Sequence, residues 1–191
     1  MRLIDLTVPV TDGMAGYPGD PPVSVRQVHD LPVEGWRLSE IRLGSHAGTH
    51  VNAPWHMAAD GARLEELALS HFVGRAVVRR AHDEPIPPGV GLIYADAPLD
   101  RDELPLVLAA CPPFVAQAVE FPMDEAVERE LCRAGIVSFE NLANTSKLPR
   151  DQIFLFMGLP LAISGDGAPV RAVAMLDLPD LDPISLDTQT P

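Results

Sequence analysis

His46-Ala-Gly-Thr-His-Val-Asn-Ala-Pro-Trp-His56 is the stretch on which the reading of this chain turns. It holds three of the six histidines, at spacings of four and six. Imidazole is the usual neutral metal ligand and the usual proton shuttle near pH 7. Gly48 and Pro54 interrupt regular helix, so the stretch reads as a loop that presents its rings. His46 and His50, with nearby oxygen donors, suit Zn²⁺ or Mn²⁺. His56 reads as a proton shuttle beside the metal. Asn52 offers an amide oxygen, which coordinates hard ions but brings no charge. Trp55, with Tyr17 from an earlier loop, is expected to wall an apolar or aromatic pocket.

Outward from this loop, the chain divides into short pieces cut by 20 prolines and 14 glycines. Before the loop, 3–10 is strand-like and 12–22 is a turn-rich loop. Segments 23–29 and 36–43 alternate apolar and polar residues, as half-buried strands do. After it, 64–72 reads as a short helix. Segments 74–81, 92–95, 114–119, 136–139, 153–157, 160–163 and 169–176 read as strands. Helices are expected over 101–111, with Pro105 tolerable in a first turn, and over 124–134. The second is acidic at its start, has arginine near its end and stops at Gly135. Many short strands with a few helices give an α/β (α+β) domain. Residues 1–176 read as one domain and 177–191, rich in Pro, Asp and Thr, as an extended tail.

Composition narrows the function. The chain has 191 residues, 47% of them hydrophobic, which suits one globular domain. No apolar run reaches membrane-spanning length, and the start lacks a signal-peptide pattern; the expected compartment is the cytoplasm. A net charge of −13 disfavours nucleic acid and anionic membranes as partners and says little about a small-molecule substrate. Cys111 and Cys132 do not make a disulfide framework and read as buried thiols. Glu140 follows an apolar strand, where a carboxylate must find a cation, a metal or hydrogen bonds. Glu128, mid-helix, reads locally as a solvated face. His29, His71 and His82 read as structural or surface residues. No Gly-rich phosphate loop is present, and Ser45, Ser70 and Ser138 lack a nucleophile-elbow context.

These residues resemble the metal-dependent cyclase family that includes bacterial kynurenine formamidase and isatin hydrolase. Its pattern H-x-G-T-H-x-D-x-P-x-H is met by 46–56 at all but one fixed position. Ile4-Asp-Leu-Thr, Tyr17-Pro-Gly-Asp20, Ser138-Phe-Glu140-Asn-Leu and Gly165-Asp-Gly-Ala-Pro-Val-Arg-Ala extend the resemblance from about residue 3 to 176. It implies a compact swivelling β/β/α domain, a homodimer or higher homo-oligomer, and hydrolysis of an amide, lactam or lactone. It implies His46, His50, Asn52, Glu128 and Glu140 as metal ligands, His56 as general acid/base, and Tyr17 as an aromatic substrate contact. The chain departs from the pattern at two ligand positions, with Asn52 in place of aspartate and Glu128 in place of histidine. The alternative to a metal-dependent hydrolase is a metal-free or non-hydrolytic relative of the same fold.

Overall fold

The computed structural model describes residues 1–80 and 85–178. Its frame is one mixed sheet of nine strands. In chain order the elements are β1 (Arg2–Asp5), β2 (Ser24–His29), α1 (Leu31–Glu34), β3 (Leu38–Arg42) and β4 (His50–Asn52). Then come β5 (Val73–Val78), β6 (Gly91–Tyr94), α2 (Leu104–Ala110), β7 (Phe114–Ala118), α3 (Glu125–Arg133) and β8 (Val137–Leu142). The chain closes with β9 (Phe154–Met157), β10 (Gly167–Pro169) and β11 (Val173–Leu176). The sheet order is β1-β11-β9-β5-β6-β7-β8-β4-β10. β5 to β8 run parallel at its centre, and antiparallel pairs flank them.

Apolar residues on both faces of the central strands explain why this sheet is covered on both sides. Leu92, Tyr94 and Val115 face α2 and α3, where they meet Leu104, Val107, Val127 and Leu131. Their neighbours Ile93, Phe114 and Ala116 face the other way, into a core with Phe139, Phe154 and Phe156. Three of those rings pack at centroid distances of 5.0–5.7 Å. Each fully buried Phe contributes about 2 kcal/mol relative to exposure. The sheet curls around this second core until the chain after β1 meets β8. Thr7 bridges Leu142, and the Ala143 amide donates to the Leu6 carbonyl at 2.9 Å.

Several expectations are altered. Segment 64–72 forms two 3-10 turns, Leu64–Glu66 and Leu69–His71, rather than one helix. Segment 160–163 makes a single bridge, Pro160 to Val170, and no strand. β2 and β3 pair only with each other, and every residue of β3 is exposed. Their alternation marks a two-stranded arm, not a half-buried pair. Cys132 is buried as expected, whereas Cys111 is exposed at the end of α2 in a left-handed conformation. His29 accepts from the Trp36 indole at 2.9 Å and His71 lies 3.3 Å from the Pro113 carbonyl, consistent with structural roles. His82 and nearly all of the expected tail fall outside the described residues. Among the described residues no helix is long and apolar enough to cross a membrane.

Candidate active site

The register of three strands builds the floor of the site. β4 lies between β8 and β10, with His50 opposite Glu140 and Asn52 opposite both Ser138 and Gly167. Period-two alternation puts His50, Asn52 and Glu140 on one face. Gly167 is glycine for a steric reason. A Cβ there would stand 2.5 Å from the Val51 carbonyl oxygen and 3.4 Å from both Asn52 and His46. Asp166, the residue before it, is thereby drawn against the histidines. Its own carbonyl accepts from the Ala53 amide at 2.8 Å.

The loop ahead of β4 is stitched to distant segments. The Thr49 hydroxyl accepts from the Val8 amide at 2.7 Å and donates to the Asn141 carbonyl at 2.6 Å. The Asn141 side chain returns a bond to the Gly48 carbonyl at 3.1 Å. Gly48 has φ +64 and Asn141 φ +58, left-handed conformations that glycine and asparagine tolerate best. The same Gly48 carbonyl accepts from His50 Nδ1 at 3.0 Å. That bond places the His50 proton on Nδ1 and turns Nε2 toward Glu140, 3.5 Å away.

Asn52 stands at the centre and is 1% exposed. Its amide nitrogen donates to Glu128 Oε1 in a short contact and to Glu140 Oε1 at 2.8 Å. The opposite amide orientation would set an oxygen against two carboxylates, so the network assigns Oδ1 to His46 Nδ1, at 2.9 Å. Glu128 also accepts from the Ser138 hydroxyl at 3.0 Å. Far from lying on a solvated face, Glu128 is 4% exposed. It shares the inner stripe of α3 with Val127, Leu131 and Cys132. Asp124 caps that helix by accepting from the amides of Ala126 and Val127.

Burial and the neighbouring Glu140 charge push the Glu128 carboxyl up to about 7, against the bonds from Asn52 and Ser138. Burial also raises Glu140, but His50 and Asn52 outweigh it and hold this carboxyl below its ordinary value. For His50, burial lowers the imidazole while Glu140, Gly48 and Glu128 raise it, and the raising influences prevail. The buried pair therefore keeps one carboxylate and one group that titrates near neutrality.

A second cluster adjoins the first. Asp166 Oδ2 lies 2.9 Å from His46 Nε2 and 3.1 Å from His56 Nδ1. The two rings lie 4.3 Å apart, centroid to centroid, tilted by 50°. Burial raises Asp166, yet the two histidines outweigh it and hold the carboxyl low. His56 is delivered by a 3-10 turn, Pro54–His56, whose first residue is proline. Asp166 was missed in the sequence although it sits in the quoted Gly165-Asp-Gly; an acid between two glycines beside a strand was the available signal.

Of these groups His46, His50, His56, Glu128 and Glu140 line a cavity of about 520 Å³, and Asn52 and Asp166 stand behind them. Tyr17 is on its wall, and its hydroxyl donates to Glu125 Oε1 at 3.1 Å. That carboxylate raises the phenol above its ordinary value. Trp55 does not line the cavity, contrary to expectation. It is 38% exposed and carries the Arg63 guanidinium 4.1 Å above its ring. Trp55 and His56 are consecutive in a tight turn, so turning His56 inward turns Trp55 out.

The five ligands expected from the sequence are brought together, but their donor atoms face one another. The hydrogens of the Asn52 amide lie where a shared cation would sit between Glu128 and Glu140. The donor set that fits a metal is different. His46, His56 and Asp166 each offer one ligand atom, all within 4.8 Å of one another. Two imidazoles and a carboxylate form a three-ligand set that leaves further positions open, as in catalytic zinc sites.

Comparison with known proteins agrees with this architecture. Residues 4–104 match the family model described as "Putative cyclase". The kynurenine formamidase of Salinibacter ruber (strain DSM 13855 / M31) is 31% identical, over 94% of this chain and 100% of that protein. That of Geobacillus thermodenitrificans (strain NG80-2) is 26% identical, over 88% and 95%. Among solved structures, isatin hydrolase A from Labrenzia aggregata bound to benzyl benzoate superposes with a TM-score of 0.73 at 18% identity, covering 91% of this chain and 93% of that one. A protein described as "Potential Metal-Dependent Hydrolase With Cyclase Activity" gives 0.72 at 21%, covering 91% and 96%. With half its length on the family model and a full-length relative at this identity, the chain belongs to the cyclase family and is a hydrolase.

Proposed function

We propose that the cavity hydrolyses an acyl C–N or C–O bond, in an amide, lactam or lactone, of a small substrate with an aromatic or cyclic body. The observation that carries this reading is the convergence of His46 Nε2, His56 Nδ1 and Asp166 Oδ2 beside the cavity, whose wall includes both histidines. These three residues would hold a divalent ion, Mn²⁺ or Zn²⁺. Such an ion supplies Lewis acidity to the acyl oxygen and acidifies a water near it. Without an ion, Asp166 Oδ2 holds both rings in position for it. Glu128 Oε1 accepts both of its hydrogen bonds, which leaves Oε2 to hold the moving proton. A carboxyl titrating near 7 can take a proton from the attacking water and return it to the leaving nitrogen or oxygen. Met14, Met57, Met123 and Tyr17 supply an apolar wall that excludes water.

The test is metal analysis of protein purified without chelator, followed by hydrolysis assays on aryl formamides, lactams and lactones. EDTA should abolish turnover, and Mn²⁺ or Zn²⁺ should restore it. A second reading rests on one contact. Asp166 Oδ2 meets His56 Nδ1, which fixes the tautomer and frees Nε2 as a base without any metal. In that reading EDTA has no effect and His56→Ala alone stops turnover.

A homodimer belongs to the same proposal. The β2–β3 arm exposes Val28, Val33, Trp36, Leu38 and Ile41, apolar side chains that a second copy of the chain would cover. Light scattering of the native chain and of Ile41→Glu should give a dimer and a monomer.

A further inference from the structure

The reactive floor of the cavity is described above; its walls and mouth say what may enter. Fourteen residues of the chain are Lys or Arg. None of them lines the cavity. The residues outside the described ranges, 81–84 and 179–191, contain neither. The lining does contain Asp20, Glu125, Glu128 and Glu140. Glu140 is held by His50 and Asn52, and Glu128 takes up a proton near neutrality. Asp20 and Glu125 stand at the outer end with Tyr17. Among the described residues neither makes an ion pair within 4.0 Å. Arg129, four residues along α3 from Glu125, makes no ion pair with it, and Arg101 is committed to Asp124, with both carboxylate oxygens at 3.0–3.1 Å. Beyond the histidines and Asn141, much of the wall is aliphatic, thioether or proline: Val8, Met14, Met57, Val119, Pro122 and Met123.

Away from the floor, a substrate anion entering this space loses water and meets no Lys or Arg, while like charges at the mouth repel it. A neutral body loses nothing by the same move. A substrate ammonium gains from Asp20 and Glu125 at a distance from the reacting bond. We infer that the cavity selects substrates whose non-reacting portion is neutral or cationic and rejects those that carry a carboxylate. For the reaction, this rests on the hydrolase reading above; for binding it does not. Charge discrimination of this kind is built into which side chains reach the wall, and it is independent of which ion occupies the floor.

Three para-substituted formanilides test it: the carboxylate, its methyl ester and the aminomethyl compound. Hydrolysis adds water across the formyl C–N bond and yields formate and the aniline. In metal-supplemented buffer at pH 7.5 (about one chosen working value), KM for the carboxylate should exceed that for the ester by on the order of tenfold. The aminomethyl compound should equal or better the ester. High salt should shrink the gap, and Asp20→Asn with Glu125→Gln should bring it below about threefold. Calorimetric binding of the same compounds separates the two claims. Binding in this order without turnover retains the charge selectivity and removes the hydrolase reading. A carboxylate that binds as tightly as its ester overturns the selectivity, whatever the turnover. So does failure of both the ester and the aminomethyl compound to bind.

Discussion

Replacing Asn52 by aspartate changes almost no volume and tests the centre of the site directly. The native amide donates to Glu128 and Glu140, and both bonds vanish in Asn52→Asp. A hydrogen bond to a charged partner contributes about 1.5–3 kcal/mol. The new carboxylate would also face Glu140 at the former 2.8 Å contact, where two unit charges at an effective dielectric near 20 repel by about 6 kcal/mol. That repulsion is comparable with the whole stability of a domain, about 5–15 kcal/mol. The variant must take up a proton or a cation. In EDTA it should therefore lose stability as pH rises from about 5 to 8, because a carboxyl with a raised folded pKa stabilises only while protonated. A net loss of about 3 kcal/mol lowers the melting temperature by about 6–12 °C at this chain length. Adding Mn²⁺ or Zn²⁺ should restore melting, and metal content should rise by one ion per chain over native protein. Scanning fluorimetry with elemental analysis reads both. A variant in EDTA at pH 8 that melts with the native protein, or one whose metal content does not rise, refutes the placement of the amide between the two carboxylates.

Four further outcomes are expected. Glu128, raised from 4.5 to about 7 in the fold, binds a proton that the unfolded chain has released in that window. Native stability should fall with rising pH there, by on the order of 3 kcal/mol, and Glu128→Gln should flatten the melting profile while slowing turnover at least about tenfold. Asp166→Asn removes the anion shared by His46 and His56; metal affinity should drop about 100-fold by competition with a chelating dye. Gly167→Ala forces a Cβ against the Val51 carbonyl and should cost about 1–3 kcal/mol in denaturant unfolding, with a parallel loss of metal affinity. Trp55→Ala should leave KM within about twofold, since its ring packs under Arg63 and not on the cavity.

The parts of this site that were legible in the sequence are those fixed by short-range pattern. The clustered histidines, the strand ending at Glu140 and the capped helix α3 all announce themselves within a few residues. Glu128 did not, because one acid among the charged positions of a helix reads as solvated; what buries it is Asn52 and Ser138, supplied by other strands. Asp166 is 110 positions from His56 and 120 from His46, and only the pairing of β10 with β4 relates them. Trp55 was misplaced because spacing says that a residue belongs to a functional loop, not which way a 3-10 turn aims it. The arm was misread for a related reason. Alternation shows that a strand has two unlike faces, and says nothing about whether a second layer covers either one.

The Thr49 hydroxyl joins Val8 to Asn141, partners 41 and 92 positions away along the chain. Contacts of that separation close late, after the entropy of long loops has been overcome. On a ribosome, β10 emerges only after all the strands between it and β4 have been synthesised, so His46 and His56 meet Asp166 at the end of assembly. A truncated or half-folded chain therefore carries histidines without a site.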